Sequence, residues 1–148
     1  MSAEIKFNVV HYFDATPAAT WKELIDWKGH EQWVPMTRVE LGPDPQDQPG
    51  ATFLAFTGVW RLGLKDNMRL TQLDWDEAAS TGTCEVEKIG PVLTGRAAFT
   101  VMPDGRGSRV DWVEEITAKY APAITAGVLG KIGAVGFKQG MKRLADLL

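Results

Sequence analysis

The chain has 148 residues, 45% hydrophobic and 24% charged, values near the averages of soluble globular proteins that exclude a disordered or fibrous chain. At this length a single domain over residues 1–148 buries roughly 70% of its unfolded surface, enough for one sizeable core without staples. A net charge of −3, with Lys138, Lys142 and Arg143 as the one local basic group, excludes the electrostatic footprint of a nucleic-acid binder.

Ile5–Phe13 is rich in β-branched and aromatic residues and predicts a first strand. Thr16 followed by Pro17 has the form of an N-cap with proline at the first helical position. A helix is expected from Pro17 to about Trp27, with Trp21, Leu24, Ile25 and Trp27 on its buried face. A second short helical turn carries Trp33 and is stopped by Pro35. Six short extended runs follow, near Thr37–Leu41, Ala51–Val59, Asn67–Trp75, Thr81–Ile89, Gly95–Met102 and Ser108–Lys119, separated by Gly- and Pro-rich turns. Connections this short leave no room for parallel crossovers, so an antiparallel meander is expected.

Ala121–Leu148 reads as one long closing helix. The predicted class is α+β: seven curved antiparallel strands wrapped around this helix, with two short helices after the first strand. In the last strand Val110, Trp112, Ile116 and Ala118 alternate with Arg109, Asp111, Glu115 and Lys119, which places Glu114 on the apolar side. A carboxylate there must be paired, hydrogen-bonded or protonated. It either faces a cavity as a polar anchor or acid/base, or ends at the rim, solvated or paired with Arg69 or Arg96.

The single Cys84 has no disulfide partner and alternates inward, where it acts as a small hydrophobe. With a charged N-terminus and no stretch of 18 apolar residues, the chain is expected to be cytoplasmic and without a transmembrane segment. His11 and His30 are isolated in sequence, and no HExxH, CxxC, GxSxG or Walker-type string is present. No metal or cofactor is expected.

Thr16-Pro17-Ala18-Ala19-Thr20-Trp21, Leu24-Ile25-Asp26, Trp33-Val34-Pro35 and Pro49-Gly50-Ala51 follow in order along the chain. With Asp104-Gly105, Gly107-Ser108-Arg109-Val110, Trp112 and the closing helix, they resemble the START-like (SRPBCC) superfamily with its helix-grip fold. Within it, they resemble the bacterial polyketide cyclase/dehydrase-like group. The resemblance covers nearly the whole chain and implies a hydrophobic cavity between sheet and helix, with no shared cofactor and no invariant catalytic residue.

On this reading Trp33, Phe56, Met68, Leu70, Cys84 and Val86 line the cavity, together with Phe99, Trp112 and Glu114. The strand at 51–59 is open to two registers, Thr52, Leu54 and Phe56 or Phe53, Ala55 and Thr57 inward. Trp33, Trp60 and Trp75 are candidates for the rim. On the closing helix Ala126, Gly130, Gly133 and Phe137 belong to the wall, its small residues between Ala123 and Ala134 facing the roomier end and Phe137 to Leu148 the filled end. Close helix packing without a void is the alternative account of those small residues. The opposite face, Ile124, Val128, Ile132 and Val135, is apolar and is accounted for by burial within the fold, by pairing with a second copy in a homodimer, or by contact with a partner or membrane surface.

Three functions are consistent with these features. The first is a module binding a small hydrophobic molecule such as a lipid, polyketide or quinone. The second is a cyclase, aromatase or dehydratase using the same cavity, with Glu114 its one candidate catalytic group. The third is a protein-interaction role.

Overall fold

In the computed structural model, which describes residues 1–59 and 62–148, the chain runs β1 (Ser2–Phe13), α1 (Pro17–Leu24), α2 (His30–Trp33), β2 (Thr37–Leu41), β3 (Thr52–Val59), β4 (Leu62–Asp76), β5 (Thr81–Ile89), β6 (Leu93–Asp104), β7 (Gly107–Lys119) and α3 (Ala126–Leu147). A 3-10 turn at Ala123–Thr125 leads into α3. The strands form one antiparallel sheet in the order β1-β7-β6-β5-β4-β3-β2, so β2 to β7 are a meander and β1 closes the far edge beside β7. This is the curved sheet with two short helices and a long C-terminal helix that the sequence predicts.

Local chemistry explains the helix ends. Ala19 N donates to Thr16 Oγ1 at 3.3 Å and Pro17 occupies the first turn, as the sequence implies. The helix stops at Leu24 instead of reaching Trp27, because Asp26 Oδ1 accepts from Gly29 N at 3.1 Å and diverts the backbone into a turn. Trp27 is still buried, stacked on Phe53 with ring centres 4.8 Å apart. A buried Thr20 to Ser108 hydroxyl bond of 2.8 Å ties α1 to β7.

Between Leu70 and Gln72 the β4–β5 register shifts by one residue. Such a bulge bends its strand and adds twist. Here it also changes the strand's parity, so that Leu70 before it and Leu73 and Trp75 after it pack on the same core. That core lies between the concave face of the sheet and α3, with Trp33, Leu24, Leu70, Met141 and Leu144 almost completely buried. A smaller cluster, Ala3, Ile5 and Ala118, receives Ala126 and Leu129 from the start of α3.

The outer face of α3 and of the turn before it is not buried. Ile124 in that turn is 92% exposed, and Val128, Ile132 and Val135 of α3 are also exposed, so packing within the fold does not account for them. Among the described residues no helix is long and apolar enough to cross a membrane.

Candidate functional site

A cavity of about 280 Å³ lies between the concave sheet face, α2 and the middle of α3. Its aromatic wall is built from neighbouring strands: Trp112 stacks on its cross-strand partner Phe99 at 4.9 Å and 9°, and Phe137 of α3 closes on Trp112 at 4.9 Å. Trp27 and Phe53 form a second stacked pair in the lining. Met36, Thr57 and Ile132 line the cavity and are also exposed, which places the mouth between the α2–β2 turn, the end of β3 and α3.

Three charged side chains interrupt this apolar wall, and each arrives by strand alternation. In β5, Cys84, Val86 and Lys88 point inward; in β4, Met68 and Asp66 do; in β7, Trp112 and Glu114 do. Lys88 Nζ donates to Asp66 Oδ2 and lies 3.6 Å from Glu114 Oε2. Lys88 is 3% exposed and Glu114 5%, so each charge needs a partner of opposite sign there. Trp112 Nε1 donates to Glu114 Oε1 at 3.0 Å. Asp66 Oδ1 is buried and accepts from nothing.

These surroundings set the protonation behaviour. Burial raises the Glu114 carboxyl above its ordinary value, and Asp66 adds to this, against the opposing pull of Lys88 and of the Trp112 hydrogen bond. Burial alone would lower Lys88, but Glu114 and Asp66 outweigh it and the ammonium is held above its ordinary value. Lys88 is thus held as the cation between its two carboxylates, and burial acts on Glu114 against the ionised form that Lys88 and Trp112 favour.

His30 lines the same cavity. Its Nε2 donates to the Leu24 carbonyl at 2.6 Å, which leaves the lone pair on Nδ1. Its ring sits among Trp27, Trp33 and Trp112. Burial among them lowers its pKa to about 4, so the ring is neutral near neutral pH.

Of the residues expected in the wall, Met68, Cys84, Val86, Phe99, Trp112, Glu114, Gly133 and Phe137 line the cavity. Phe56 does not. The register places Phe53, Ala55 and Thr57 inward, and the Phe56 ring lies on the outer face under the Arg38 guanidinium, 4.9 Å from its centre. Leu70 and Trp33 are buried in the solid core behind the cavity. Trp75 stacks on Trp21 away from the mouth, and Trp60 lies outside the described residues.

Ala126 and Gly130 also lie outside the wall, because the start of α3 is packed hard on β1. A methyl added at Gly130 would meet the Lys6 carbonyl oxygen at 3.0 Å. At Gly136, which lines the cavity, an added methyl meets nothing within 4 Å, whereas at Gly133 it would meet the Phe7 ring at 2.5 Å, so the roomy position of the helix wall is Gly136. Glu114 pairs with Lys88; Arg69 faces Glu87, and Arg96 faces Glu85 and Glu115 on the outer surface. Lys88, Asp66 and His30 are not among the residues that the sequence reading places in the site. Continuing the inward parity of Cys84 and Val86 to Lys88, and that of Leu70 and Met68 to Asp66, is the sequence signal that finds two of them. No such signal exists for His30, which reaches the cavity through the turn after α1.

Cys84 is buried in the wall and burial pushes its thiol up to about 12, so it acts as an apolar side chain and not as a nucleophile. Among the described residues no group of three or more His, Cys, Asp and Glu is arranged to hold a metal ion.

A curved antiparallel sheet closed by a long C-terminal helix over an internal cavity defines the helix-grip, START-like class. The profile of the family "Polyketide cyclase / dehydrase and lipid transport" matches residues 4–148, and the chain belongs to that family. No curated protein matches it in sequence. Among solved structures, the lipid transfer and protein localization domain of human StarD13 is similar with a TM-score of 0.74 at 11% identity, over 91% of this chain and 74% of that one. A STAR-related lipid transfer protein fragment from Xanthomonas axonopodis gives 0.67 at 17% identity, over 93% and 81% of the two chains. A protein from Thermus thermophilus gives 0.70 at 14% identity, over 95% and 94%.

Proposed function

We propose that the chain binds a small, mostly hydrophobic molecule between the sheet and α3, with its polar end at Asp66, Lys88 and Glu114. The observation that carries this reading is the aromatic-walled cavity of about 280 Å³ with three convergent charged groups. Ligand sites combine a predominantly apolar lining with a few placed polar groups, in volumes of roughly 300–1,000 Å³. A cavity just below that range suits a compact ring system or a short chain better than a two-tailed lipid. Membership of a family described by polyketide cyclisation and lipid transport, and likeness to lipid transfer domains, support a hydrophobic cargo.

Native mass spectrometry of the protein purified from its own host tests this. A small-molecule adduct is expected, and it should be absent from Gly136→Leu. If no adduct appears and apolar probes do not enter the cavity, the reading is wrong.

A second reading, an enzyme of the cyclase or dehydratase type, is favoured by the same polar convergence. A fixed ammonium beside a carboxyl with a raised pKa, and a neutral imidazole on the same cavity, are the parts needed to move a proton on a bound molecule. Glu114→Gln then abolishes turnover while binding persists. Turnover that survives this change removes Glu114 from the chemistry.

A further inference from the structure

Resting on the pocket reading above, we infer that the cavity selects ligands by head-group charge, accepting a neutral or cationic hydrogen-bond donor and rejecting carboxylates and other anions. Two independent counts lead there. The first is charge: among the described residues the cavity is lined by two carboxylates, Asp66 and Glu114, and one cation, Lys88. An entering anion meets a surplus of its own sign in a low-dielectric wall.

The second count is of donors. Lys88 Nζ donates to Asp66 Oδ2, has Met68 Sδ at 3.9 Å, and faces Glu114 Oε2 at 3.6 Å as an ion pair. Trp112 Nε1 is engaged by Glu114, Trp27 Nε1 by the Gln46 carbonyl at 2.9 Å, and His30 Nε2 by the Leu24 carbonyl. At the mouth the Thr37 hydroxyl donates to the Pro35 carbonyl and lies 3.1 Å from that of Thr57. Each described side-chain N–H group of the wall thus already has an acceptor or a carboxylate of the protein beside it. Acceptor capacity is left over: Asp66 Oδ1 is buried without a partner and meets a ligand only if its side chain turns, and His30 Nδ1 keeps its lone pair. A ligand hydroxyl or ammonium supplies what this wall lacks, whereas a carboxylate must compete with Asp66 and Glu114 for Lys88. The unpaired Trp33 Nε1 does not alter this, because Trp33 is not part of the wall.

Isothermal titration of the full chain near neutral pH, with naphthalene, 2-naphthol, 2-naphthylmethylammonium and 2-naphthoate, tests the inference on one skeleton. Like charges brought together at a binding surface are strongly disfavoured, so the naphthol and the ammonium are expected to bind at least about tenfold more tightly than the naphthoate. In Asp66→Asn the preference for naphthol over naphthoate should fall to about threefold or less, with naphthalene affinity unchanged as evidence that the cavity is intact. Naphthoate binding as tight as naphthol, while naphthalene still binds, overturns the selectivity and leaves the pocket standing. An unchanged preference in Asp66→Asn overturns its assignment to this cluster. Binding by none of the four compounds overturns the pocket reading and the inference with it.

Discussion

A lysine buried between two carboxylates is not removed at the cost of one ion pair. Lys88→Met leaves Asp66 and Glu114 facing each other with their cation gone, and breaking a buried pair from one side costs about 3–5 kcal/mol. That loss should appear directly in urea unfolding at neutral pH. Glu114→Gln is the contrasting case. The amide still accepts from Trp112, Lys88 keeps Asp66, and the change removes a charge that burial disfavours. Because the folded pKa of Glu114 is raised, its contribution to stability is full below the unfolded value of 4.5 and declines as pH rises through the folded value. The variant should therefore gain on the wild type as pH rises from 4.5 towards neutrality; a variant that loses ground over this range contradicts the assignment. His30 has the opposite sign. Its folded pKa of about 4 lies below the ordinary 6.5, so its contribution is present above 6.5 and is lost as pH falls through 4. The difference corresponds to on the order of 3 kcal/mol, less any screening by water in the cavity. Unfolding midpoints of the wild type and His30→Gln across this interval should diverge, the wild type falling more steeply on acidification.

At the scale of elements, glycines of one helix have opposite roles. Leucine at Gly130 must displace the backbone of β1 and is expected to destabilise the protein by several kcal/mol. Leucine at Gly136 extends into open cavity and gains about 1 kcal/mol of helix propensity. Calorimetry should show the first melting early, and the second melting no earlier than wild type while failing to take up naphthalene. The sequence showed the helix, its small residues and the stripe they form, but small side chains permit a void and close contact equally well. Which of the two holds depends on how far β1 stands from the helix axis. The strands divided in the same way. β7 was legible because one face is charged, so Glu114 could be placed inward. β3 was not, because Leu54 and Phe56 on one face are as apolar as Phe53 and Ala55 on the other. Lys88 escaped notice because a lysine near a strand end suggests solvent, and only its carboxylate neighbours from β4 and β7, brought together by the sheet, make an inward position tenable.

For the whole molecule, sheet and helix grip a space instead of filling it, so an occupant adds contacts that the unfolded chain cannot make. At a hundred times its dissociation constant a ligand adds about 2.7 kcal/mol, which for a chain of this size raises Tm by roughly 5–10 °C. A scan with 2-naphthol at saturation should show this shift in the wild type and not in Gly136→Leu. The pairing order of the sheet has a further consequence, one in time. β1 borders β7 alone, about a hundred residues later in the chain. During synthesis the first strand made therefore waits, unpaired, until nearly all of the rest has emerged, while the meander from β2 onward can assemble as it appears. The strand on which α3 packs is thus also the strand whose docking must come late.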